Sequence, residues 1–368
     1  MSLGLRKLRL SHFRSYKSAV LEPSAPMVAL YGPNGAGKTN ILEAVSMLSP
    51  GRGLRRAPVA DLMRQPEALG WKISAELDSL SELHEIATWS EADAGRQVEI
   101  DGKKTAQTAL GRIARIVWLV PVMDRLWVEG AGERRRFLDR MVLSFHPDHA
   151  DVSLTYEKAM RERNKLLKDR VNDAPWYSAL EAQMATAGAQ ISANRLNVIT
   201  RLKAAQNKVE TAFPTADLTL ISGDDHPSEQ TQEFLVNALA NGRNRDMHAG
   251  RTLIGPHRAD LHAIYAAKGV EARSCSTGEQ KALLISLILA NARALRNDFG
   301  APPILLLDEV TAHLDVDRRA ALFNEIQALG AQAWMTGTDA ELFETLGPRA
   351  MYIEITEQGG ISQLEGGP

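Results

Sequence analysis

Gly32-Pro33-Asn34-Gly35-Ala36-Gly37-Lys38-Thr39 decides how this sequence folds. Met27-Val28-Ala29-Leu30-Tyr31 precedes it and Asn40-Ile41-Leu42-Glu43-Ala44-Val45 follows, so a buried strand feeds a glycine-rich loop that opens a helix. Glycines admit positive φ, which lets consecutive backbone N–H groups curl around a phosphate, and the helix start adds partial positive charge. Lys38 is expected to reach the β- and γ-phosphates and the Thr39 hydroxyl to ligate Mg²⁺, with Asn34, Gly35, Ala36, Gly37 and Asn40 along the same turn. The strand and helix on either side favour a nucleoside triphosphate site over an ordinary glycine-rich turn.

Working outward, Ile304-Leu305-Leu306-Leu307-Asp308-Glu309 follows the breaker pair Pro302-Pro303 and reads as a fully buried parallel strand. The C-terminal ends of such strands present ligand-binding groups. Asp308 suits the Mg²⁺ shell, and Glu309 is placed to polarise the water that attacks the γ-phosphate. Ser276-Thr277-Gly278-Glu279 stands just before the most apolar helix, Ala282 to Ala292. A hydroxyl, a glycine and a helix start make a second anion site, although Ser276 and Glu279 also have the spacing of a capping box. Ala312-His313-Leu314-Asp315, after the carboxylate strand, reads as an N-capped loop able to meet a neighbouring subunit.

The chain has 368 residues, of which 44% are hydrophobic, enough for one or two substantial cores and too many for a disordered protein. Its longest apolar run, Ala282 to Ala290, is far short of the roughly 20 residues that cross a bilayer. The basic N-terminus lacks an apolar secretion segment, and Cys275 is the single cysteine, so the expected location is the cytoplasm.

A net charge of −2 gives no global reason to bind nucleic acid. Basic residues are clustered, however, and Arg52, Arg55 and Arg56, together with Arg161, Arg163 and Lys165, are the candidate DNA contacts. Glycine nearly vanishes from Glu133 to Lys208, leaving only Gly188, and helix formers dominate there. The last third then returns to alternating helix and strand. The expected architecture is α/β, with head segments at 1–132 and 250–368 flanking a helical arm at 133–249.

The ordered set of phosphate loop, S-x-G-E turn, Asp-Glu strand and x-x-L-D loop resembles the ABC-type (RecA-like) ATPase heads of the SMC class. Within that class the chain is most similar to the RecF family of bacterial recombination and repair proteins. The segments that carry the resemblance are His12-Phe13-Arg14-Ser15-Tyr16, Arg135-Arg136-Phe137-Leu138-Asp139, Arg161-Glu162-Arg163-Asn164-Lys165-Leu166-Leu167 and Gly255-Pro256-His257-Arg258-Ala259-Asp260-Leu261. The resemblance implies ATP and Mg²⁺ as cofactors and a slow, DNA-stimulated ATPase. ATP-bound heads would pair, the phosphate loop of one facing Ser276, Gly278 and Glu279 of the other, and clamp DNA. It also implies Arg14 at the nucleotide, His313 and Asp315 at the dimer loop, and RecR and RecO as partners.

Some positions depart from the family pattern. Pro121-Val122-Met123-Asp124 replaces the usual P-E-D and offers no glutamine to position water. Thr336-Gly337-Thr338-Asp339 stands where transporter-type ATPases carry a switch histidine, and Ala259 replaces a frequent acid. Two other readings are a transporter-type nucleotide-binding subunit and a scaffold that binds ATP without hydrolysing it.

Overall fold

The computed structural model describes residues 2–80, 82–91, 94–207, 211–223, 227, 229–311 and 314–365. The chain divides into two compact units: one comprises residues 1–124, 209–214 and 277–368, the other 125–208 and 215–276.

In the first unit, β1 (Ser2–Phe13) and β2 (Tyr16–Leu21) form an antiparallel hairpin. It joins β4 (Trp71–Leu80), β5 (Glu82–Ser90), β6 (Gln97–Ile100) and β7 (Lys103–Thr105) in an antiparallel sheet of order β2-β1-β4-β5-β6-β7. Asp101 and Gly102 turn the last hairpin, both at positive φ of 51° and 75°, as an Asp-Gly turn requires.

β3 (Met27–Tyr31) belongs to a different sheet with β8 (Ile116–Leu119), β12 (Ile304–Leu307), β13 (Ala333–Gly337), β14 (Ala350–Gln358) and β15 (Ile361–Glu365). Its order is β15-β14-β3-β13-β12-β8, and only the β14–β15 pair is antiparallel. All four residues of β12 are buried, as a strand flanked on both sides in a covered parallel sheet should be. The two sheets share one apolar core with α1 (Lys38–Ser46), through Leu8, Leu10, Ile41, Val45, Trp71 and Trp334. Gln332 joins them through polar groups: its amide accepts from Leu5 N at 2.8 Å and donates to Leu5 O at 2.9 Å, where the β1–β4 register shifts. α2 (Leu110–Ile113), α8 (Thr277–Phe299) and α9 (Val316–Leu329) complete this unit.

The second unit contains α3 (Ala131–Phe145), α4 (His149–Lys168), α5 (Ala174–Gln206), α6 (Gln232–Asn241) and α7 (Arg243–Ala249). At 33 residues, α5 is about 50 Å long. Asp173 starts it, its carboxylate accepting from Trp176 N at 2.9 Å. The lone Gly188 has a packing reason, since a Cβ there would lie 2.9 Å from Leu235 and 3.2 Å from the Tyr156 ring.

This unit is not purely helical: β9 (Ala216–Ile221), β10 (Asp260–Tyr265) and β11 (Val270–Glu271) form an antiparallel sheet in it. The boundary expected at residue 250 is therefore corrected to 276, because β10 pairs along its whole length with β9 and carries residues 250–276 into the helical unit. Residues 252–254 are irregular backbone. Among the described residues, no helix is long and apolar enough to cross a membrane.

Candidate nucleotide site

The loop after β3 is shaped by three glycines at positive φ: Gly32 at 138°, Gly35 at 84° and Gly37 at 110°. Two are also forced by contact, since a Cβ on Gly32 would lie 2.1 Å from Ile355 O, and one on Gly37 would lie 2.3 Å from Ser362 Oγ. Side chains from other elements support the loop. Ser362 donates to Ala36 O and accepts from Ser15 Oγ, both at 2.6 Å, and Tyr16 donates to Gly37 O at 3.2 Å. The Lys38 ammonium arches over the loop and donates to Gly32 O at 2.6 Å and Pro33 O at 2.8 Å. Burial draws its pKa below the usual lysine range, and the nearby carboxylates of Glu309, Asp308 and Asp339 oppose that shift.

Beside the loop, three side chains converge. Thr39 Oγ1 donates to Asp308 Oδ1 at 2.9 Å, and Thr336 Oγ1 donates to the same oxygen at 2.7 Å. Thr336 also accepts from Glu309 N at 2.8 Å. Glu309 itself has φ +49°, an uncommon and strained conformation for a side chain of this kind. Its carboxylate makes no hydrogen bond of its own among the described residues, while Lys281 Nζ lies 3.4 Å from its carbonyl oxygen. The Thr39 hydroxyl and the Asp308 carboxylate are hard oxygens of the kind Mg²⁺ prefers. Among the described residues no group of three His, Cys, Asp or Glu gathers to hold a metal. A two-oxygen donor set therefore fits a Mg²⁺ whose shell is completed by phosphates and water.

Residues 4–363 match the family model for the RecF/RecN/SMC N-terminal domain. The chain is 46% identical to the DNA replication and repair protein RecF of Mesorhizobium japonicum over 374 residues, covering 98% of both proteins. It is equally 46% identical to that of Rhizobium rhizogenes over 371 residues, with 98% of each covered. A solved structure of the recombination mediator protein RecF-ATPrS in the RecFOR pathway superposes with a TM-score of 0.83, at 23% identity over 98% of each chain. The chain belongs to the RecF/RecN/SMC N-terminal domain family, and within it to the RecF proteins of DNA replication and repair. Its first unit has the ABC-type ATPase head fold.

Several residues of the RecF-like segments outside the phosphate loop are buried in packing contacts. Arg163 is 0% exposed, and its guanidinium donates to Glu181 at 3.1 Å, Asp246 at 2.7 Å, Thr252 at 2.8 Å and Leu239 O at 3.0 Å. The expectation that Arg163 contacts DNA is therefore corrected: its side chain is fully buried and donates four hydrogen bonds inside the second unit. Asn164 Oδ1 accepts from the backbone N–H of the same Thr252 at 2.7 Å. In the G-P-H-R segment, Tyr156 donates to His257 Nδ1 at 2.7 Å, and His257 Nε2–H donates to Thr252 O at 3.1 Å. Burial pushes His257 down to about 4. Arg134 reaches Asp260 at 2.7 and 2.8 Å, which ties α3 to β10.

The remaining candidates are divided. Arg14 forms a two-pronged pair at 2.8 Å with Glu43, which is fully buried. Arg55 joins that carboxylate at 3.3 Å and donates to Asn40 Oδ1 at 2.7 Å, so both arginines and Asn40 brace α1. Arg52 and Arg56 are exposed, as are Lys165 and Arg161, the last lying 3.8 Å from Glu157. Ser276 is exposed, Gly278 and Glu279 are half-buried in or beside the first turn of α8, and a Cβ on Gly278 would meet open space. Asp315 caps α9, accepting from Arg318 N at 2.7 Å. His313 lies outside the described residues.

Thr336 and Lys281 are the site residues that reading the sequence missed. Thr336 had a signal, since it stands where a switch histidine would be sought. Lys281 had little, because a lysine near a helix start reads as solvated.

Proposed function

We propose that the chain is a slow, DNA-stimulated ATPase of recombinational repair and replication-fork maintenance, whose ATP-bound heads pair and clamp DNA and whose hydrolysis releases it. The observation that carries the reading is the hydrogen bond between Thr39 and Asp308, which brings the hydroxyl after the phosphate loop to the carboxylate at the end of β12. The loop amides from Asn34 to Thr39 cradle the phosphates, and Lys38 leaves Gly32 O and Pro33 O for the β- and γ-oxygens. Thr39 and Asp308 hold Mg²⁺, which neutralises phosphate charge when bound. Glu309 orients the attacking water. Ser276, Gly278 and Glu279 meet the γ-phosphate bound by the partner head, with Asp315 and His313 at the same junction. Exposed Arg52 and Arg56, and on the second unit Arg161 and Lys165, supply sequence-independent phosphate contacts. RecR and RecO are its protein partners, and the cytoplasm is where it acts.

Titration calorimetry with Mg-ATP tests the base of this reading. Wild type should bind and folded Lys38→Ala should not; equal affinity in the two would overturn it. Turnover of wild type separates the ATPase from a scaffold that only binds ATP.

A further inference from the structure

Lys281 lies in the second turn of α8, five residues after Ser276, and is 4% exposed. A buried ammonium costs several kcal/mol unless partnered, so an apolar residue at this helical position would be the more stable choice. Two of its partners lie at the nucleotide site: Asp124 Oδ2 at 3.5 Å and the carbonyl oxygen of Glu309 at 3.4 Å. Asp124 belongs to the turn after β8, and its other oxygen is buried without a hydrogen bond. Glu309 is therefore held from both sides. Thr336 accepts from its N–H, Lys281 faces its C=O, and the residue between them is fixed at φ +49°. A left-handed backbone at a non-glycine residue persists only where its surroundings hold it in place.

We infer that Lys281 is a positioning residue that ties α8, the helix opened by the S-x-G-E turn, to the strained Glu309 of the same subunit. The inference rests on the proposed function, in which the start of α8 reads the partner head's nucleotide while Glu309 serves the subunit's own. A helix turn moves as a body, so seating the partner's γ-phosphate on Ser276 and Gly278 shifts Lys281 with it and sets the carbonyl, and hence the carboxylate direction, of Glu309. Each head then hydrolyses its own ATP only when it also grips its partner's.

The test uses the full-length chain. Lys281→Met should lower kcat about ten- to a hundredfold, the effect of a misplacement near 1 Å, while KM and the ATP-dependent dimer stay near wild type. Mixed dimers distinguish positioning within one subunit from a damaged S-x-G-E turn. If Lys281 acts on its own Glu309, a chain carrying both Lys281→Met and Glu309→Gln, paired with wild type, keeps about half the wild-type rate. A Lys281→Met chain paired with a Glu309→Gln chain then has almost none. The reverse pattern, or an unchanged kcat in Lys281→Met, overturns the inference. Where Lys281→Met fails to fold, Asp124→Asn replaces it in the same pairs, and an unchanged kcat there is equally decisive. A wild type with no ATP-dependent dimer and no turnover would overturn the proposed function before any variant is made, and the inference with it.

Discussion

The Thr39 hydroxyl donates to Asp308 Oδ1 across 2.9 Å, although the two residues follow strands β3 and β12 that are separated in the sheet by β13. Thr336, at the end of that intervening strand, fills the gap by donating to the same oxygen and accepting from Glu309 N. The row of three hydroxyl and carboxylate groups is a direct product of strand order. Parallel neighbours end at the same edge of the sheet, so whatever follows them is collected there.

Thr336→Val keeps the shape and removes both bonds. It should cost about 1–3 kcal/mol by leaving the Glu309 N–H unsatisfied, and it should slow turnover more than it weakens ATP binding. Chemical denaturation alongside steady-state kinetics checks this; a variant with wild-type kcat would show that Thr336 only fills space.

Glu309→Gln and Ser276→Arg should separate hydrolysis from assembly. The first is expected to reduce turnover roughly 10²- to 10⁴-fold while ATP-bound dimer accumulates. The second should bind ATP as a monomer, because the bulk meets the partner's γ-phosphate. Size measurements in Mg-ATP decide; a Ser276→Arg protein that pairs normally would reduce the segment to a helix cap.

The second unit should lose stability in mild acid. His257 is held neutral, with its pKa near 4 against about 6.5 in an unfolded chain, so the unfolded state binds the extra proton first. Its contribution is complete above pH 6.5 and is lost as the pH falls towards 4, by about 3 kcal/mol. Denaturation midpoints from pH 7 to pH 4.5 should fall more steeply in wild type than in His257→Gln, and parallel slopes would contradict the assignment.

The phosphate loop and the Asp-Glu strand were legible because each is a local pattern whose chemistry depends on adjacent residues. The arm boundary was less so. β9 and β10 pair across a long stretch of chain, and that pairing, with contacts such as Arg134 to Asp260 and Tyr156 to His257, carries residues 250–276 into the second unit. Arg163 misled for a related reason: it shares a helix with exposed Arg161 and Lys165, and Glu181 and Asp246, which bury its charge, lie far away in sequence.

Arginines therefore divide into two experimental classes. Arg163→Ala leaves buried Glu181 and Asp246 uncompensated on one side and should cost about 3–5 kcal/mol. Arg52→Ala with Arg56→Ala should cost far less stability than Arg163→Ala and flatten the salt dependence of DNA affinity by about two in log–log slope. Thermal melts and binding at several salt concentrations check both halves, and an unchanged slope would send the DNA surface elsewhere.

Sedimentation velocity with a labelled duplex, with and without Mg-ATP, reads mass and DNA affinity on one preparation. A nucleotide-driven clamp should be monomeric and weakly bound without ATP, and dimeric with markedly tighter DNA binding when ATP is present. Mass and affinity that do not respond to ATP, in protein shown to bind it, would contradict the account.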